Sequence, residues 1–145
     1  YIAEKNYTDL THAMEIAIAG DCRDILITGA LGGRVDHQMG NLQNLARLAR
    51  LGIRCSITDG LTDLYAFQNR SLELEPMDGY YFSVLSLSEL STGIFIENAG
   101  YPLVDYTMYV DRPRGISNEF IGKTVRISVA NGLLLVIRTP KDSAF

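Results

Sequence analysis

The chain has no surplus of positive charge, no long apolar run and few cysteines or histidines, and each shortage removes a class of function. Lys and Arg number 13 against 17 Asp and Glu, a formal net charge of −4, and the isoelectric point is near 5.1. Phosphate-backbone affinity comes from clustered basic side chains. The cations here are scattered, so no nucleic-acid partner is expected. No segment approaches the roughly 20 apolar residues needed to cross a bilayer, and the opening residues lack a signal-peptide pattern. The expectation is a soluble, cytoplasmic protein with no membrane partner. Cys22 and Cys55 belong to no Cys-x-x-Cys pair and read as two reduced, buried thiols. With His12 and His37 the only histidines, neither a zinc site nor a Ser-His-Asp or Cys-His constellation is expected. The GxxxxGK[ST] phosphate loop and the GxGxxG fingerprint are both missing.

What is present divides by period. The 145 residues suit one domain or two small modules sharing a core. From Asn6 to Ala19, Leu10, Ala13, Met14, Ala17 and Ile18 recur at helical spacing, with Gly20 as the stop. Ile25 to Thr28 is a short apolar run, expected to be a strand covered on both faces. A second helix is expected from Asp36 to about Leu51, before Gly52, and a second buried strand from Ile53 to Ile57. Helix, strand, helix, strand with short links is the rhythm of a parallel sheet with crossover helices. After about Asn69 the period falls to two, in Ser71 to Glu75, Tyr80 to Leu87 and Thr124 to Val129, as in half-buried antiparallel strands. Asn131-Gly132 then reads as a hairpin signal before Leu133 to Arg138. The expected architecture is α/β plus all-β. Residues 1–68 form the remainder of a Rossmann-like parallel α/β domain, and residues 69–145 form an antiparallel β-sandwich abutting it.

Two clusters carry chemistry, and each has a plain alternative. In GALGGRVDH, Gly29 to His37, a glycine-rich turn leads from strand to helix and brings backbone N–H groups and a helix N-terminus toward an anion. Arg34 offers a bidentate grip, and Asp36 and His37 offer polar contacts. The alternative is that the glycines turn the chain, Asp36 caps the helix and Arg34 is solvated. In KNYTD, Lys5 to Asp9, the spacing of Asn6 and Asp9 fits a capping box. Equally, Asp9 suits a hard oxygen ligand for Mg²⁺ with Lys5 near a phosphate. Both clusters sit at helix N-termini, which gather on the carboxyl edge of an open parallel sheet. In the second half, Ser117 and Asn118 of GISNEF read as a turn bonding its own backbone. Tyr101, in a Gly-Tyr-Pro turn, is the aromatic expected to be exposed rather than packed in a sheet.

KNYTDLTHAM, GALGGRVDHQMGNL, GISNEF and GLLLVI resemble, in order and spacing across nearly the whole chain, the thiamine pyrophosphokinases. The family's marks are a Lys-Asp-x-Thr-Asp run, a Gly-Gly-Arg-x-Asp-His run and a Ser-Asn-Glu run. The resemblance implies transfer of the pyrophosphoryl group of ATP to the thiamine hydroxyl, with Mg²⁺, in a homodimer whose active sites lie between subunits. It makes Asp9 the catalytic, metal-binding acid. Lys5, Asn6, Thr8, Arg34, Asp36 and His37 fall on the nucleotide and phosphate side, and Ser117, Asn118 and Tyr101 on the thiamine side. Asn6 stands where the family has Asp, a weaker metal ligand. The family's Asp-Gly-Gly and Gly-Asp-x-Asp-Ser segments, expected upstream, are not in this chain. Tyr1 is therefore expected not to be the biological N-terminus, and little kinase activity is expected of the chain alone. Two other readings are a non-catalytic thiamine or nucleotide binder and a purely structural sandwich. The second leaves three motifs in order unexplained.

Overall fold

The computed structural model describes residues 7–142. Helix α1 (Asp9–Ala19) is followed by β1 (Asp24–Thr28), α2 (Val35–Arg50), β2 (Arg54–Thr58) and β3 (Asp63–Gln68). Seven more strands follow: β4 (Ser71–Leu74), β5 (Tyr80–Ser86), β6 (Leu90–Glu97), β7 (Leu103–Tyr109), β8 (Gly115–Glu119), β9 (Val125–Ser128) and β10 (Leu133–Pro140). One sheet has the order β1-β2-β3-β10-β5-β8 and the other β4-β9-β6-β7. As the crossover rhythm predicts, β1 and β2 are parallel, in register from Asp24 with Arg54 to Thr28 with Thr58. Every other pairing is antiparallel. The α/β plus all-β architecture is therefore present, built on a mixed sheet and an antiparallel sheet.

The mixed sheet runs without a break through both halves. Along β3, Leu64 and Ala66 join the core beneath α2, while Tyr65 and Phe67 belong to the sandwich core. In β10, Leu133 and Leu135 serve the α2 side, and Leu134 and Val136 the sandwich. Successive side chains of a strand point to opposite faces, so these two strands hold two cores apart with one backbone. That explains why Leu133 to Ile137 is apolar at every position.

Several local expectations change. The first helix starts at Asp9, not Asn6: the Thr8 hydroxyl accepts from the Thr11 N–H at 3.2 Å and is the N-cap. Asp9 is thus in the first turn, with Thr8 as the cap, and Asn6, the other member of the expected capping box, lies outside the described residues. Gly20 ends that helix with φ −79°, and Asp21 takes the left-handed position at φ 58°. In β1 only one face is covered: Ile27 is buried with the helices, but Leu26 on the other face is 62% exposed, because the second sheet packs over β3, β10 and β5 and contributes nothing over β1. The Asn131-Gly132 link is not a hairpin, since β9 pairs with β4 and β6 while β10 pairs with β3 and β5. It is an arch between sheets. Gly132 has φ +144°, and a Cβ there would stand 2.2 Å from Ser91 Oγ.

Candidate functional site

The two clusters of the α/β half meet. Thr8, Asp9, Gly29, Ala30, Asp36 and His37 line one open cleft of about 830 Å³, at the carboxyl end of β1 and the N-termini of both helices. Lys5 and Asn6 lie outside the described residues.

The glycine loop is shaped by its backbone. Gly29, Gly32 and Gly33 have φ of 72°, 82° and 76°, a region other residues enter at a cost. Asn41 Nδ2 donates to the Ala30 carbonyl at 2.9 Å, and Gln38 Nε2 to the Gly33 carbonyl at 3.3 Å. Those bonds tie the loop's carbonyls to α2. The N–H groups of Leu31, Gly32 and Gly33 donate to none of the described residues. Sequence reasoning missed Asn41 and Gln38; their signal was a polar residue at helical spacing from the loop, which by itself marks only a solvated face.

Arg34, not Asp36, occupies the N-cap of α2, and it makes no side-chain cap bond. Its guanidinium instead grips Asp36, Nε to Oδ1 at 3.1 Å and Nη2 to Oδ2 at 2.5 Å. Asp36 Oδ1 also accepts from the His37 N–H at 3.0 Å. The Arg34 bond, with the His37 N–H adding to it, holds the Asp36 carboxyl below its ordinary value. Asp36 is thus a first-turn acid locked to its arginine, and Arg34 is not among the residues lining the cleft. Behind the cleft the Thr8 and Thr11 hydroxyls lie 2.9 Å apart, and Thr11 donates to the buried Asn44 at 3.2 Å, coupling the cap of α1 to α2.

Asp9 makes no hydrogen bond or ion pair with the described residues, and no group of three His, Cys, Asp or Glu among them is placed to hold a metal. A Mg²⁺ ion usually takes one or two carboxylates plus substrate phosphates and waters. Asp9 fits such a site as one ligand of several, and Asp36, on the same cleft, is paired with the exposed Arg34.

Tyr101, Ser117 and Asn118 lie elsewhere. Asn118 and Ser117 are on β8, at the opposite edge of the mixed sheet from β1. Five strand spacings separate those edges, about 24 Å. Tyr101 is 66% exposed, as expected of its turn, whereas Asn118 is 5% exposed. Asn118 Oδ1 accepts from the Tyr101 and Glu119 N–H groups, each at 2.9 Å, and Nδ2 donates to the Tyr101 carbonyl at 2.8 Å. Ser117 has φ 60°, at an irregularity in the pairing of β5 with β8. Its N–H donates to Ser83 Oγ at 3.0 Å. GISNEF is therefore an edge strand rather than a free turn. Ser83 carried no signal in the sequence.

A glycine loop and the Asp9 carboxylate at the carboxyl end of a parallel strand, joined through one sheet to a β-sandwich with a fixed aromatic turn, define an α/β protein with an attached sandwich and an open cleft at its helix N-termini. Profiles of the thiamin pyrophosphokinase catalytic domain and of the thiamin pyrophosphokinase vitamin B1 binding domain match residues 1–57 and 70–134 respectively. The chain is 31% identical over 140 residues to a thiamine pyrophosphokinase of Bacillus subtilis, covering 96% of this chain and 65% of that one. The crystal structure of thiamine pyrophosphokinase from Bacillus subtilis superposes with a TM-score of 0.87 at 28% identity, over 94% of this chain and 64% of that one. That of Geobacillus thermodenitrificans gives 0.81 at 29% identity, over 99% of this chain and 66% of the other. The chain belongs to the thiamin pyrophosphokinase family. It spans about 65% of the length of its curated Bacillus relative.

Proposed function

We propose that this chain supplies part of a thiamine pyrophosphokinase that transfers the pyrophosphoryl group of ATP to thiamine. The observation that carries the reading is the convergence of Thr8, Asp9, Gly29, Ala30, Asp36 and His37 on one cleft. In the reaction the thiamine hydroxyl oxygen attacks the β-phosphorus, the bond from that phosphorus to the α-phosphate oxygen breaks, AMP leaves and the hydroxyl proton is released. Such a transfer asks the protein for in-line placement and charge neutralisation more than for covalent chemistry.

The loop N–H groups of Leu31 to Gly33 and the N-terminus of α2 receive phosphate oxygens. Arg34 supplies positive charge by exchanging Asp36 for phosphate, and Lys5, Asn6 and Thr8 belong to the same wall. Asp9 is the catalytic acid of the described cleft, and its carboxylate would be one ligand of a Mg²⁺, which when bound neutralises phosphate charge. Tyr101 and Ser117 face the thiamine ring. The separation of β1 from β8 supports a homodimer, in which the β8 edge of one subunit completes the cleft of the other. The reading includes a cytoplasmic setting, in keeping with the absence, among the described residues, of any helix long and apolar enough to cross a membrane.

Asp9, the one carboxylate of the cleft without a partner among the described residues, favours a second reading, a thiamine or nucleotide binder without turnover. AMP release with ATP, Mg²⁺ and thiamine, run beside thiamine binding by calorimetry, separates the two. Turnover supports the kinase; binding without AMP release from the full-length protein refutes it and leaves the binder.

A further inference from the structure

Asn118 has four hydrogen-bonding capacities, two lone pairs and two N–H groups. Its oxygen is filled by the Tyr101 and Glu119 N–H groups, and one N–H is given to the Tyr101 carbonyl. Both polar groups of the Tyr101 peptide are therefore held by one buried side chain. The neighbouring backbone follows suit: Gly100 donates to the Glu119 carbonyl at 2.9 Å, and Ala99 bridges Phe120. A Cβ on Gly100 would stand 3.1 Å from Glu119 Cβ, so this segment lies tightly along β8. The backbone of Tyr101 is fixed on several sides while its ring is two-thirds exposed. A rigid anchor carrying a free aromatic ring is what low-entropy recognition of a flat ring requires.

We propose that Asn118 is a positioning residue: its buried amide sets the Tyr101 peptide so that the Tyr101 ring, and not the amide, meets the flat cationic ring of the ligand. The proposal rests on the thiamine reading above. It differs from a direct contact because the Asn118 oxygen has no lone pair left to offer and the side chain is buried. A residue acting through Tyr101 should matter only while the Tyr101 ring is present.

A double-mutant cycle tests this, with thiamine affinity measured by calorimetry on the full-length protein. Asn118→Asp keeps the size and the acceptor but sets a second acceptor against the Tyr101 carbonyl. It should weaken thiamine binding about tenfold in the parent and less than about twofold in Tyr101→Ala, since contacting residues give non-additive changes. Equal losses in both backgrounds overturn the proposal, because they mean that Asn118 acts on the ligand or the fold without Tyr101. Amide exchange of the unaltered protein gives a readout independent of how the variants fold: the Tyr101 N–H should exchange slowly despite its exposed ring. Fast exchange overturns the clamp. Absence of thiamine binding by the unaltered protein overturns instead the reading on which the proposal rests.

Discussion

Replacing Gly132 by Ala perturbs the arch that carries the chain from the sandwich sheet into β10. A Cβ at this position would lie 2.2 Å from Ser91 Oγ, 2.6 Å from Ser91 Cβ and 2.8 Å from Ser91 Cα. Ser91 is fully buried, so it has little room to retreat. Its hydroxyl also lies 2.7 Å from Ser86 Oγ. Two costs add: about 1–2 kcal/mol for a side chain at this φ, and about 1–3 kcal/mol for overpacking. The sum, about 2–5 kcal/mol, corresponds to a fall in Tm on the order of 10 °C for a chain of this size. Because β10 feeds both cores, helical signal at 222 nm and tyrosine near-ultraviolet dichroism should be lost in one transition. The double variant Ser91→Gly, Gly132→Ala removes the hydroxyl and Cβ contacts and should recover part of the loss. Ser86 keeps its bond to the Ser88 carbonyl at 2.7 Å. A single variant melting within about 2 °C of the parent, or a double variant no better than the single, would refute the steric argument.

Asp9→Ala in the full-length protein should reduce AMP release by about a hundredfold or more while thiamine affinity stays nearly constant; unchanged release reduces Asp9 to a first-turn helix residue. Thr8→Ala should cost about 1 kcal/mol of stability through loss of the α1 cap, read by urea unfolding. Asp36, held down by Arg34, should titrate by carboxyl NMR with a midpoint below the ordinary 3.8. A depressed folded value means that the pair's stabilising contribution is present above the ordinary value and is lost as pH falls through the depressed one. Arg34→Ala should move the midpoint back up, and a parent midpoint at or above 3.8 contradicts the ion pair. Burial pushes the Cys55 thiol up to about 11 while Cys22 is exposed. At pH 8 a thiol reagent should label one cysteine in the folded protein and both in denaturant.

The parallel β1–α2–β2 unit was legible because a crossover helix has a long, strongly periodic signature. Its edge was not. Ile25 to Thr28 is apolar throughout, and an apolar run looks the same whether a second layer covers it or leaves Leu26 open. Strands β6, β7 and β8 were hidden for a different reason: irregular pairing between Ser91 and Ile96, between Leu103 and Tyr106, and between Gly115 and Asn118 interrupts the alternation that marks a strand. The Asn131-Gly132 signal was read correctly as a turn but assigned to the wrong geometry, because only the position of Ser91 shows that an arch is needed there. Of the site, the glycine loop and Asp9 were visible as residue types in order. The partnership of Arg34 with Asp36 was not, since at a spacing of two residues either side chain can equally face solvent or ligand. Asn118 was visible as a residue, but not its role, which depends on a turn 17 residues earlier.

The alternation along β10 also acts as a reading frame. Leu133 and Leu135 address one core, and Leu134 and Val136 the other. Inserting or deleting a single residue in this strand would exchange every assignment downstream of the change, delivering to each half the side chains shaped for its counterpart. Substitutions of similar size can accumulate here one at a time, but a change of length in β10 has no such gradual route. The length of this strand, more than its composition, ties the history of the α/β half to that of the sandwich half.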